Sequence, residues 1–160
     1  MPDLIAVDLQ VADGPVAGWF EQMSSGGRPQ PRFVVLARSL HDPELLDALR
    51  RGADGYWIAN QPSEQLIDVI EGVLGGRSTM APEIARRLQM HFARHDATGA
   101  SPIDDADRDL LRWVSTGYRL DDIAQGMHTT PAHLGIQVRA LYRKLSPGAP
   151  QPAKPPRRRR

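Results

Sequence analysis

Asp8 closes the apolar run Leu4 to Val7, and the carboxyl end of a parallel strand is where α/β proteins usually meet their ligands. The equivalent ends of two further runs are inert: "FVVLA" stops at Ala37 and "YWIA" at Ala59. A lone carboxylate without a second acid, a hydroxyl or a cation holds neither a metal nor a phosphoryl group well. His91 and His95 share an i, i+4 helical spacing, but with no third ligand nearby a metal is not expected there. Arg139, Arg143 and Lys144 offer different chemistry, since cationic side chains on one helix can neutralise phosphates. No phosphate loop and no nucleophile with its base occurs, so neither an enzyme nor a cofactor is expected.

The elements that position these groups fall into two kinds. The first 76 residues read as three strand-helix units in succession: "LIAVD" as a strand buried on both faces, then "GPVAGWFEQM" as a helix with Pro15 at its first position. "FVVLA" is followed by "DPELLDALRRG", with Asp42 as cap, Pro43 at N1 and Gly52 as stop. "YWIA" is followed by a helix with Leu66, Ile67, Ile70, Val73 and Leu74 on one face and Gly75 at its end. Such alternation predicts parallel strands joined by crossovers. "APEIARRLQMHFARH" continues as an amphipathic helix with a poor cap at Ala81 but Pro82 to start it, and "DATGASP" reads as linker.

From Ile103 to Leu145 the pattern is helical. Asp104 and Asp107 suit a helix start, Gly117 a stop, and "LDDIAQGM" a short helix. Thr130 then caps a longer helix with Pro131 at N1 and a stripe at Leu134, Val138, Leu141 and Leu145. Opposite that stripe stand Ala132, Ile136, Arg139 and Arg143, with Gly135 at the edge.

Composition sets limits. The 160 residues contain no cysteine, which excludes disulfides and thiolate metal sites. No membrane span or signal peptide is supported, so a cytoplasmic protein is expected. Residues 1–100 carry a net −4 and residues 101–160 a net +5, but residues 101–150 are neutral, so Lys154 and Arg157 to Arg160 supply the excess. "SPGAPQPAKPPRRRR" reads as a disordered basic tail. The division expected is 1–76, 77–102 as linker helix and linker, 103–146, and the tail 147–160.

The stretch "LLRWVSTGYRLDDIAQGMHTTPAHLGIQVRALYRKL" resembles the LuxR-type helix-turn-helix. With "RFVVLARS", the GADGY motif at Gly52 to Tyr56 and "QLIDVIEGVLGG", the whole chain resembles a NarL/FixJ-type response regulator that lacks the first part of its receiver domain. The fold implied is a partial receiver-like, flavodoxin-like three-stranded parallel sheet with helices (α/β), followed by a small all-α helix-turn-helix bundle. The resemblance places the DNA side on Thr130, His133, Ile136, Arg139, Arg143 and Lys144, although His133 also reads as ordinary surface. Where this family commonly has a lysine that approaches DNA, this chain has Gly135, at a cost to the helix of about 1 kcal/mol relative to alanine.

The same resemblance puts Asp8 at the phosphoacceptor position, Ala37 at the Ser/Thr position and Ala59 at the lysine position. The acidic pair that holds Mg²⁺ has no counterpart, the loop after Asp8 is short, and Ala12 replaces its customary proline. Phosphotransfer is therefore not expected, and Asp8 reads as a helix-capping or loop-bonding acid. In the receiver strand order the strand Leu4 to Val7 would lie between neighbours, so here its outer edge should be bare, and the helix Ser63 to Leu74 partly uncovered. Either the edge pairs with another chain or the protein begins upstream of Met1. The function expected is a phosphorylation-independent, DNA-binding transcription regulator, a homodimer or partner of another regulator through the first-strand edge or the helix-turn-helix. The alternative expected is an interaction module that has abandoned specific DNA binding, with Ile136 and the bare sheet edge as its contacts.

Overall fold

A computed structural model describes residues 2–11, 14–24, 27, 29–99 and 101–145. Ala12 and the tail 147–160 lie outside the described residues. β1 (Leu4–Asp8) leads into a two-residue antiparallel ladder between β2 (Gln10–Val11) and β3 (Gly14–Pro15), and α1 runs from Ala17 to Ser24. Gly14 and Pro15 thus belong to the ladder and not to the helix start expected of them. A proline with fixed φ and no N–H suits the edge of a short ladder as well as a helical N1 position, and only the pairing Gln10↔Pro15 distinguishes the two.

β4 (Arg32–Ala37) is followed by α2 (Pro43–Arg51), where the local rules hold fully. The Asp42 carboxylate accepts from Glu44 N at 3.0 Å, Pro43 opens the helix, and Gly52 at φ +125° closes it. β5 spans Gly55–Ile58 and α3 Ser63–Leu74. Gly55 is needed for the approach of α3: a Cβ there would come within 2.9 Å of the Val73 side chain and 3.1 Å of Thr79 Oγ1.

The sheet order is β1-β4-β5, all parallel, with Asp8 opposite Leu36 and Ala37 opposite Ile58. β4 takes the centre, which explains why its Val34 and Val35 are fully buried. β1 was expected to be buried on both faces; it is only half-buried, with Ala6 and Asp8 exposed, because an edge strand at the rim of a small sheet has too little to cover it. Its outer flank carries no partner strand among the described residues, as expected. The α3 stripe is likewise partly open: Val73 is buried, but Ile67 is 55% and Leu74 51% exposed.

α4 (Pro82–Asp96) starts on its proline without a side-chain cap and buries Ile84, Ala85, Leu88 and Phe92. α5 (Asp105–Ser115) has a complete capping box: Asp107 N donates to Asp104 Oδ1 at 2.8 Å, and Asp104 N to Asp107 Oδ2 at 3.3 Å. α6 (Leu120–Gly126) and α7 (Pro131–Arg143) follow, with Thr130 Oγ1 accepting from His133 N at 3.1 Å. Between them His128 adopts φ +54°, which turns the chain in a single residue.

One cluster of buried side chains runs from Leu9 in the sheet lobe through α4 to Leu145 in the helical lobe. α4 is the spine of this arrangement. Arg87 Nη1 donates to Leu40 O at 2.6 Å on the sheet side, and Arg86 Nη2 to Ser115 O at 2.9 Å on the helical side.

Candidate nucleic-acid interface and its docking seam

α6, the turn at His128 and α7 form the helix-turn-helix, with Ile123, Ala124, Leu134, Val138, Leu141 and Leu145 turned inward. Of the residues expected on the DNA side, Thr130, His133, Ile136 and Arg143 are exposed, Ile136 at 59%. Lys144 Nζ instead lies 2.6 Å from Asp107 Oδ2, tying the end of α7 to the start of α5.

Arg139 is also engaged within the chain. Its Nη1 donates to the carbonyls of Gly76 at 3.0 Å and Arg77 at 3.3 Å, and its Nε lies 3.9 Å from Asp54 Oδ1. Burial pushes its guanidinium down from the ordinary arginine value, Asp54 pulls it up, and the neighbouring Arg32 and Arg143 push it down again. A second stripe of α7, Ala132, Gly135, Arg139 and Tyr142, therefore faces the sheet lobe. A Cβ on Gly135 would overlap the Gly76 carbonyl and come within 3.1 Å of Arg77 Cα, so glycine is what lets the helix seat against this loop.

Two tyrosines complete the seam. The Tyr142 hydroxyl donates to Thr79 O, while Ala81 N donates to Tyr56 Oη at 2.7 Å, so the connection between α3 and α4 is gripped from both lobes. Burial drives both phenols well above the ordinary tyrosine value. Asp54 anchors the lower side: Phe33 N donates to its Oδ2 at 2.8 Å, Arg32 Nη1 to its Oδ1 at 3.1 Å, and Ser78 Oγ to its carbonyl at 2.8 Å. Sequence reading took Asp54 and Tyr56 only as part of the GADGY motif, with no role at a seam, and passed over Tyr142. The one signal available was an acid between a helix-stopping glycine and an apolar strand in "GADGYW".

At the opposite end of the sheet Asp8 is exposed and its Oδ1 accepts from Gln10 N at 2.9 Å, a local loop bond. The neighbouring strand ends lie along the same rim: Leu9 N donates to Leu36 O at 3.0 Å and Ala59 N to Ala37 O at 2.8 Å, with Ala37 buried on the adjacent strand and Ala59 exposed one strand further out. These residues do not fit a divalent cation, because among the described residues of this rim Asp8 brings the single carboxylate. Among the described residues no group of three or more His, Asp or Glu is arranged to hold a metal, and the rings of His91 and His95 lie tilted at 55° with centroids 4.9 Å apart.

No protein-family model matches the chain. It is 24% identical over 149 residues to the nitrate/nitrite response regulator protein NarL of Escherichia coli strain K12, covering 90% of this chain and 68% of that protein. It is 25% identical over 157 residues to the oxygen regulatory protein NreC of Staphylococcus carnosus, covering 91% and 72%. The transcriptional regulatory protein DesR of Bacillus subtilis is 24% identical over 144 residues, covering 90% and 67%. The crystal structure of response regulator ChrA, from a heme-sensing two-component system, aligns at a TM-score of 0.45 and 21% identity, over 89% of this chain and 68% of that one. Over nine-tenths of its length the chain is thus similar to response regulators. No described helix is long and apolar enough to cross a membrane.

Proposed function

We propose that this chain is a DNA-binding transcription regulator of the response-regulator type whose sheet lobe works without phosphorylation. The observation that carries the reading is α7 itself: a Thr130-capped second helix of a helix-turn-helix, seated on its own core by one stripe and presenting His133, Ile136 and Arg143 to solvent. In the docked arrangement Arg139 is spent on Gly76 and Arg77, so a full contact set of Thr130, His133, Ile136, Arg139, Arg143 and Lys144 requires α7 to leave the seam. Ala132 and Ile136 cannot hydrogen-bond to base edges, which makes phosphate contacts the main source of affinity. Independence from phosphorylation is supported by Asp8, whose carboxylate accepts from Gln10 N, and by the alanines that end β4 and follow β5 in place of a hydroxyl and a cation. The open flank of β1 supports pairing with a related regulator, while its exposed acids Asp3 and Asp8 oppose pairing with a second copy.

The test is a salt-dependent titration with duplex DNA. Binding should weaken steeply with salt, and Arg143→Ala should remove about one phosphate contact, lowering the log-log slope by roughly 0.9. Absence of binding at low salt, or an Arg139→Ala/Arg143→Ala double variant that binds like the parent, overturns the reading.

A second reading, a protein-interaction module without specific DNA binding, is favoured by Gly135, where shape serves docking on the lobe rather than contact with a base. Absent DNA binding together with a protein partner lost on Ile136→Asp selects it.

A further inference from the structure

Below the seam, where α2 ends, β4 begins and α7 ends, lies a cavity of about 360 Å³. That volume is in the range of small-molecule sites and far too small for a duplex. Among the described residues, Arg32, Arg51 and Arg143 line it, with Asp54 as the one acid. Gln30 adds an amide, and Phe20 and Phe33, with centroids 4.6 Å apart, supply an apolar wall.

We propose that this cavity binds a small phosphate-bearing dianion, held by Arg32, Arg51 and Arg143 across the seam between the two lobes.

The charge balance supports it. Arg32 shares Asp54 at 3.1 Å, and Arg139 reaches the same carboxylate oxygen at 3.9 Å from the other side, so one carboxylate answers two cations before Arg143 is counted. Arg51 Nε lies 3.1 Å from Asp47 Oδ2, and Asp47 is also shared with Arg50 at 2.7 Å. Arg143 makes no hydrogen bond or ion pair with a described residue. Arg51 and Asp47 apart, Arg32, Arg139 and Arg143 face Asp54 and the carboxyl end of α7, which contributes about half a negative charge, so among these described groups the cations are in excess by roughly one to two charges. The lowering of the Arg139 guanidinium by Arg32 and Arg143 reports the same crowding. Guanidinium forks match phosphate oxygens in pairs, and three of them from three elements suit one phosphate group better than a halide or a carboxylate. A ligand so held bridges Arg143 of α7 to Arg32 and Arg51 of the sheet lobe, and thereby keeps α7 docked.

The experiment is calorimetric titration of the full chain, at constant ionic strength, with inorganic phosphate, pyrophosphate and adenosine monophosphate as separate probes. Saturable one-to-one binding of at least one probe is expected, weakened about tenfold or more by Arg143→Gln and by Arg51→Gln, and unchanged by Arg94→Gln on the exposed face of α4. Saturation by phosphate alone assigns the site to the free ion; preference for the nucleotide assigns it to a phosphorylated metabolite. If Arg51→Gln does not fold, Arg51→Lys, which keeps the charge and loses the fork, should still weaken binding. Amide exchange in α7 should slow on adding the bound probe. No saturable binding by any probe, or equal binding by parent, Arg143→Gln and the Arg51 variant, overturns the proposal. Neither readout uses DNA, so failure here leaves the regulator reading intact, and the reverse.

Discussion

Gly135 of α7 and Gly76 of the loop after α3 meet backbone to backbone, with no room for a Cβ between them. Two effects oppose each other in Gly135→Ala. Alanine improves the isolated helix by about 1 kcal/mol. Overlap with a backbone carbonyl costs about 1 to 3 kcal/mol, because a peptide group cannot swing aside as a side chain can. The seam should therefore open while α7 stays helical. Hydrogen exchange reads this directly: amides of 76–80 should lose protection in the variant, and unchanged protection there refutes the tight seat. Gly135→Lys should open the seam further and, on the regulator reading, strengthen DNA binding.

Tyr142→Phe tests the upper clasp. The change removes one hydroxyl from a fully buried ring and leaves the Thr79 carbonyl without that donor. A loss of about 1 to 2 kcal/mol in urea unfolding is expected. A loss below about 0.3 kcal/mol means that water replaces the hydroxyl and that the clasp contributes little.

The continuous core through α4 makes the two lobes one cooperative unit. Phe92→Ala should cost about 3 to 5 kcal/mol and destabilise both lobes together. A single calorimetric transition is expected in parent and variant; two separated transitions contradict the shared core.

Arg108 grips Asp96 through both terminal nitrogens, at 2.7 and 3.1 Å. The arginine hydrogen bonds first, and Ser101 next, hold the Asp96 carboxyl down at about 2 from its ordinary 3.8. A depressed carboxylate stabilises the fold above its unfolded value near 3.8, and that contribution is lost as pH falls through about 2. The Asp96 side-chain carbon should titrate near the lower value, and in Arg108→Gln return towards about 3.9. A midpoint indifferent to the substitution removes arginine as the cause.

Incubation with acetyl phosphate should leave Asp8 unmodified, measured by intact mass. Stable aspartyl phosphate on Asp8 that alters DNA occupancy contradicts a lobe indifferent to phosphorylation.

Legibility in the sequence followed the range of the forces involved. Asp42, Pro43 and Gly52 around α2, and the Asp104–Asp107 box of α5, act within one turn of chain, and their pattern was sufficient to read them. Pro15 obeys rules shared by two local structures, and the choice was made by Gln10 across the ladder. Arg139 was legible as a cation on an outward face but not as a ligand of Gly76, 63 residues away, because the outward face of one lobe is the inward face of a docked pair. Gly135 reads in sequence only as a missing contact; its use depends on a loop that no periodicity announces.

β1 hydrogen-bonds to β4 through its odd residues, as the bonds from Arg32 N to Asp3 O and Leu9 N to Leu36 O show, so the amides of Leu4, Ala6 and Asp8 point away from the sheet. Five residues long and bracketed by the exposed acids Asp3 and Asp8, this rim repels its own likeness at both ends and lacks a bulky apolar side chain at its exposed middle, Ala6. Asp8 so becomes a gatekeeper against uncontrolled strand addition, and neutralising it turns a guarded margin into an adhesive one.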